Sequence, residues 1–280
     1  MDLPNSIEIS RFIFQRLEAS QKELIQQYKE SKDKIAYFFI DEVLPVDLAQ
    51  RIAEVFPKVE SLYRKSSLKE SKYVSAQMDK YHSLLEIVLF AFQDERVVNS
   101  ISKITGIPDL MPDKNLYAGG LSSMGQHDFL QPHLDNSHDK DRNNYRVLNL
   151  LYYVSPSWQK EFGGNLELWP DGLKGEPIEI PSRFNRLVVM ATHKKSWHSV
   201  SQVTVNKCRN CISNYYFSEK PLDNNTEFHI TTFRGRPGQL LKDKILRVDS
   251  FLRMGIRKVF KKGIVENPHY YKNRRNKNKF

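Results

Sequence analysis

The sequence predicts an α+β protein with a mainly β core, a sandwich or barrel, preceded and followed by helices. Three observations carry that expectation. Helical patterning dominates as far as Gly106. From about Asn115 to about residue 232, short β-rich runs alternate with Gly, Pro, Asn and Asp at fairly regular spacing, which favours a sandwich or barrel over alternating β and α units. From Gly238 the apolar residues return to three-and-four spacing.

Residues 6–31 read as helix, with Ile7, Phe12, Phe14, Leu17, Leu24 and Ile25 among charges. "IAYFFIDEVLP" reads as a strand, and "VDLAQRIAEVFPKV" as an amphipathic helix stopped near Pro57. "SLLEIVLFAFQDERVVNSISKITG" supplies one or two more helices, ending at Gly106. The β runs follow: "NLYAGGLSS", "RVLNLLYYVS", "GGNLELW", "EPIEIP", "RLVVMAT", "HSVSQVTV" and "RNCISNYYFS". In the last helix Leu240, Leu241, Ile245, Val248, Leu252, Ile256 and Val259 form one stripe, expected to dock on the barrel, with a membrane surface as the rival. The division expected is one domain over 1–232, with helical support to about 112 and the core from about 113, then a basic helical extension and tail over 233–280.

With 280 residues, 40% of them hydrophobic, the chain can bury a sizeable core and is not disordered by composition. No apolar run reaches the length of a membrane span, and the early acids argue against a signal peptide. Cys208 and Cys211 stand in "CRNC" without a second pair, which disfavours a zinc site there and suggests a reducing compartment; the expected location is the cytoplasm, with peripheral membrane association left open. The net charge of +10 is concentrated between Lys242 and Lys279, which fits an anionic partner, nucleic acid or membrane surface, or a merely solubilising tail.

The stretch "QPHLDNSHD" (131–139) raises the question of a metal. In extended backbone, residues i and i+2 share a face, so His133 and Asp135 can aim at one point, and Pro132 biases Gln131 towards that geometry. A non-haem iron facial triad needs one more histidine. His198, opening a late strand, is the preferred third ligand, and His193 in the preceding turn is its rival. His127 and His138 would need tight turns to reach the same ion. A dicarboxylate co-ligand would need a cationic anchor, and Arg209, eleven positions after His198, offers the fixed fork of donors that lysine lacks. Taken alone, His-x-Asp is weak evidence and more often an ordinary surface pair, and Arg209 reads more readily as an outward-facing surface arginine.

Together these residues resemble the iron(II)/2-oxoglutarate-dependent dioxygenases, and within them the prolyl-4-hydroxylase-like branch. The resemblance runs from about Tyr117 to Ser218 through "HLDNSHD", "RVLNLLYYVSPSWQKEFGGNLELWPDG", "FNRLVVMATHKKSWHSV" and "RNCISNYYF". It implies a double-stranded β-helix (jelly roll), with His133, Asp135 and His198 as iron ligands and catalytic centre. It implies Arg209 and Tyr153 at the far carboxylate of 2-oxoglutarate. Strand parity puts Val147, Asn149, Leu151 and Tyr153 on one face, making Asn149 a further pocket residue, while Tyr152 faces the other way and packs. Relatives carry a tyrosine upstream of the His-x-Asp where this chain reads "LSSMGQ"; Tyr117 is the candidate replacement.

The cofactors implied are Fe(II), 2-oxoglutarate and O2, with ascorbate as a candidate reductant, and the reaction implied is hydroxylation of an unactivated C–H bond with release of succinate and CO2. A prolyl residue in a protein or peptide is the first substrate expectation; a small metabolite, amino acid or glycan-lipid intermediate is the alternative. A non-catalytic jelly-roll module binding nucleic acid or anionic membrane through its basic C-terminus is the reading from another class. Structural zinc is disfavoured because only three ligands are in sight. Gly163 and Gly164 are expected in a turn or bulge, Trp158 and Trp169 in packing, Trp197 in packing or at the substrate mouth, and His138 with Asp139 in a rim loop.

Overall fold

The computed structural model describes residues 5–223, 227–260 and 271. Helix α1 (Ser6–Ala19) opens with a reciprocal cap, the Asn5 side chain accepting from the Glu8 amide and the Glu8 carboxylate from the Asn5 amide. Its buried stripe is Ile9, Ile13 and Leu17, each worth about 1.5–3 kcal/mol of burial; Ile7 lies on the exposed side. Helix α2 (Gln21–Glu30) restarts after Ser20. Strand β1 (Tyr37–Ile40) and helix α3 (Val46–Glu54) follow as expected, α3 ending two residues before the Phe56–Pro57 step. A hairpin, β2 (Tyr63–Ser66) and β3 (Glu70–Ser75), then occupies a stretch whose charged pattern announced no element. Helices α4 (Ser83–Ala91) and α5 (Glu95–Thr105) complete the N-terminal layer, and Gly106 closes α5 at φ 70°, the left-handed cap for which glycine is suited.

The core strands are β4 (Met111–Pro112), β5 (Gly120–Met124), β6 (Phe129–Leu134), β7 (Tyr145–Tyr153), β8 (Leu166–Leu168), β9 (Ile178–Ile180), β10 (Arg186–Ala191), β11 (His198–Val200), β12 (Arg209–Ser218) and β13 (Thr232–Phe233). All pairs are antiparallel, and the sheet runs β1-β10-β7-β12-β5-β3-β6-β11-β8-β9, with β2 on β3, β4 on β12 and β13 on β6. Because β3 pairs with both β5 and β6, the sheet curls there into two facing layers, the double-stranded β-helix. No helix among the described residues is long and apolar enough to cross a membrane.

Two cores explain why the strands read as continuous apolar runs. On β10, Leu187, Val189 and Ala191 pack outward against the helices, while Val188 and Met190 point into the barrel. On β7, Leu148, Leu150 and Tyr152 face the helices, and Tyr152 donates to the Asn185 Oδ1 at 2.8 Å in the packing role expected of it. Parity breaks at the start of β7. Leu148 pairs with Tyr216 and Arg146 with Phe217, which leaves Val147 as the extra residue of a β-bulge. Val147 therefore joins Leu148 in the outer core rather than sharing the inner face with Asn149 and Leu151, and Arg146 is turned inward.

Helix α6 (Leu240–Val259) departs from expectation in its orientation. Its apolar stripe does not dock: Leu241 is 73% exposed, Val248 59% and Leu252 59%. The helix sits on the barrel through buried Leu246 and through ion pairs, Asp243 to Arg234 at 2.6 Å and Asp249 to Lys69 at 2.8 Å. Its polar face contributes to the barrel wall, so the geometry is that of an amphipathic helix turned inside out. The basic tail after Phe260 lies outside the described residues except Tyr271, whose hydroxyl donates to Glu86.

Candidate metal centre and cosubstrate pocket

His133 lies near the end of β6 and Asp135 just beyond it, so the two side chains emerge on the same side. His198 opens β11, and its backbone partner across the strand pair is His133 itself. The side-chain ligand atoms of His133, Asp135 and His198 all lie within 4.8 Å of one another. Each imidazole Nε2 is 3.7 Å from an Asp135 carboxylate oxygen. Each Nδ1 faces a backbone carbonyl, Gln131 at 3.0 Å and Ser196 at 2.9 Å, which assigns the proton to Nδ1 and leaves both Nε2 lone pairs directed at the centre. Burial, then the neighbouring His198, pushes the His133 pKa down to about 3, so that imidazole is neutral. Asp135 Oδ2 is buried without a hydrogen bond. Burial pulls that carboxyl upward, but Arg146 and the two histidines outweigh it and hold it below its ordinary value. A buried orphan carboxylate oxygen facing two lone-pair donors fits a divalent cation.

The competing histidines are placed elsewhere. His193 approaches Asp223 at 3.8 Å, and His127 is exposed in a turn with φ 70°. His138 is not in an open rim loop: it is buried, 7% exposed, and its backbone bridges to Tyr145 as its ring meets the Ser137 hydroxyl. Phe233 on β13 pairs with His133 and stacks on its ring at 5.1 Å, a water-excluding lid over one ligand that the sequence did not announce.

These three residues open into a cavity of about 730 Å³ between the two layers. At one end lies Arg209, the first residue of β12 and 3% exposed. Its Nε donates to the Ser182 Oγ at 3.1 Å, its guanidinium lies 4.6 Å from the Tyr153 ring centroid, and it has no carboxylate in ion-pair range among the described residues. A buried guanidinium without a counter-ion is costly, so the site calls for an anion. The Tyr153 hydroxyl beside it is buried without a hydrogen bond, its pKa driven up by burial to about 12, which keeps it a neutral donor. Asn149 lines the same cavity with its Oδ1 unsatisfied. Tyr117 lines the cavity as well. An unpaired arginine and an idle phenol, both donors, fit a dicarboxylate.

Gly164 explains its own composition: a Cβ there would stand 3.2 Å from the Arg209 Cγ, and Gly163, at φ 71°, would place one 1.9 Å from the Gln202 carbonyl oxygen. Both glycines permit close backbone packing behind the arginine. Trp158 and Trp169 are buried packing residues, as expected, and Trp197 is half-buried against Arg234, away from the cavity. Cys208 and Cys211 are free thiols, Cys211 buried with its pKa raised by burial to about 11. Sequence reasoning missed Ser182 and Arg146. Arg146 is 4% exposed, lies 3.6 Å from Asp135 and 4.2 Å from the Tyr215 ring centroid, and reaches the cavity only because of the bulge at Val147.

Residues 119–217 match the 2OG-Fe(II) oxygenase superfamily. Among solved structures, the fold is similar to a prolyl hydroxylase from Trichoplax adhaerens crystallised with a hypoxia-inducible-factor peptide (18% identity, 73% of this chain and 92% of that one, TM-score 0.52). It is also similar to a Pseudomonas putida prolyl-4-hydroxylase (16%, 69% and 98%, 0.52) and to prolyl 4-hydroxylases from Phytophthora capsici (15%, 89% and 78%, 0.52). Comparison with curated protein sequences gives no match. On the match over residues 119–217 and the triad, the chain is an oxidoreductase of the dioxygenase class, and the cofactors of that class are Fe(II), 2-oxoglutarate and O2.

Proposed function

We propose that this protein hydroxylates an unactivated C–H bond, with His133, Asp135 and His198 holding Fe(II), and with a prolyl residue of a protein or peptide as its substrate. The observation that carries the proposal is the triad itself, with two Nε2 atoms and one carboxylate turned to a common point and the remaining side of that point open to the cavity. The bound iron and 2-oxoglutarate would activate O2, converting 2-oxoglutarate to succinate and CO2 as the substrate gains a hydroxyl.

The chain's own residues do the rest. Arg209 and Tyr153 receive the far carboxylate of 2-oxoglutarate, the arginine by charge and the phenol by a hydrogen bond. Ser182 holds Arg209 in place from behind. Asn149 presents an amide toward the same cavity. The backbone carbonyls of Gln131 and Ser196 keep both imidazoles in the tautomer a metal requires. Phe233 and the apolar residues Leu151, Leu166 and Val200 keep water from the reacting centre. The prolyl assignment is supported by the likeness of 73% and 69% of this chain to two prolyl hydroxylases.

Anaerobic titration of the metal-free protein with Fe(II) and then 2-oxoglutarate tests the site, read by the weak visible metal-to-ligand charge-transfer band. A band lost in both His198→Ala and Arg209→Ala is expected; no band in the unaltered protein would overturn the proposal. Prolyl peptides are then scored by succinate release and by the mass gain of one oxygen atom.

A further inference from the structure

Part of the cavity is lined by residues outside the superfamily match. Helix α6 contributes Arg253, Ile256 and Arg257, and the β2–β3 hairpin contributes Lys65 and Lys72. With Arg146, which stands beside the triad, these are five basic side chains lining the cavity apart from Arg209, against one carboxylate besides the triad aspartate, Glu70. Glu70 is engaged by Lys72 at 2.9 Å and faces Lys65 at 3.9 Å, and Arg253 is engaged by Asp249 at 2.7 Å. Two arginines are less completely engaged. Arg146, 4% exposed, reaches the triad Asp135 only at 3.6 Å and keeps Nε and Nη2 buried without a hydrogen bond, and Arg257 has a buried Nε without one. Arg257 lies 5.7 Å from the ring centroid of Phe228, which with Ile230 and Ile256 gives the mouth an apolar side.

Desolvated guanidinium groups without acceptors are costly to the free protein and become favourable when an anion supplies the acceptors. Asp135 faces one Nη of Arg146 at 3.6 Å and leaves its Nε and Nη2 unsatisfied, and no carboxylate among the described residues pairs with Arg257. We infer that the primary substrate carries an anionic group, a carboxylate or a phosphate, seated between Arg146 and Arg257 with its apolar part against Phe228 and Ile256. This rests on the oxygenase reading of the cavity and narrows its substrate: on that reading a prolyl substrate is an acidic one, and α6 is the wall that selects it.

The test is calorimetric titration of the full chain, loaded with Mn(II) and 2-oxoglutarate, with phenyl phosphate, benzoate and uncharged benzyl alcohol. Phenyl phosphate and benzoate separate the two anion chemistries, and Arg257→Gln is compared with Lys258→Gln, which removes the same charge from an exposed position one residue on. At least one anion should bind about ten-fold or more tightly than benzyl alcohol, and Arg257→Gln should lose about ten-fold while Lys258→Gln keeps it. Equal binding of benzyl alcohol, equal loss in both variants, or no anion binding at all would overturn the inference. Arg257→Met, which keeps the length of the side chain and removes its charge, serves as a second variant with the same expected loss if Arg257→Gln fails to fold. The titration needs no turnover, and failure of the oxygenase reading would register separately as a missing charge-transfer band.

Discussion

His133 and His198 are direct partners across the antiparallel pair of β6 and β11, their ring centroids 4.1 Å apart. Sixty-five residues of chain separate them, yet one backbone register sets their spacing. Removing His198 leaves His133 and Asp135 as a two-ligand remnant. His198→Ala should weaken Fe(II) binding by at least about 100-fold, the upper end of what loss of a mere outer partner costs. Competition against a chelating dye measures it, and unchanged affinity would exclude His198 as a ligand.

Arg209→Lys keeps the charge and loses the fork. The lysine cannot also satisfy Ser182 and a carboxylate in one plane, so 2-oxoglutarate affinity should fall about 10- to 100-fold, equivalent to one or two charge-assisted hydrogen bonds. Fe(II) affinity measured alone should stay within a factor of about two. Loss of both together would point to collapse of the barrel end instead.

Asn185 is a structural knot with no part in the site. It sits at φ 59°, accepts from the Leu44 amide at 3.1 Å and the Tyr152 hydroxyl at 2.8 Å, and donates to the Leu44 carbonyl at 2.7 Å. Asn185→Ala leaves those buried groups unpaired in a backbone region alanine disfavours. A stability loss of roughly 3 kcal/mol or more is expected in urea denaturation. Asn185→Gly, which relieves only the backbone, should recover about 1 kcal/mol of it.

Asp243 ties α6 to the barrel. Its hydrogen bond from Arg234 brings its pKa down to about 2, below the ordinary carboxylate value. A depressed folded-state pKa means that the stabilisation is complete above the ordinary value and is lost as pH falls from there through about 2. Pepsin cleavage within α6 should therefore rise steeply between about pH 4 and pH 2. Asp243→Asn should show the higher cleavage already at pH 4 and a flat profile below it. A steep profile retained in the variant would place the acid-sensitive contact elsewhere.

Much of this molecule is legible locally. The helix over α1 and α2, the stop at Gly106, the β run that becomes β10 and the i, i+2 relation of His133 to Asp135 depend on neighbours a few residues away, and local sequence pattern reports such relations directly. What the tertiary structure alone decided has one physical origin, that a pattern names a face but not the surface it will meet. His198 was preferred over His193, but only the β6–β11 register decided between them, putting one ring against His133 while the turn sent the other to Asp223. Arg146 became a cavity residue through one extra residue in β7, which strand parity cannot foresee. The stripe on α6 is as amphipathic as expected, but Asp243, Leu246 and Asp249 hold the opposite face to the barrel, so Arg253 and Arg257 line the cavity while Leu241, Val248 and Leu252 face outward.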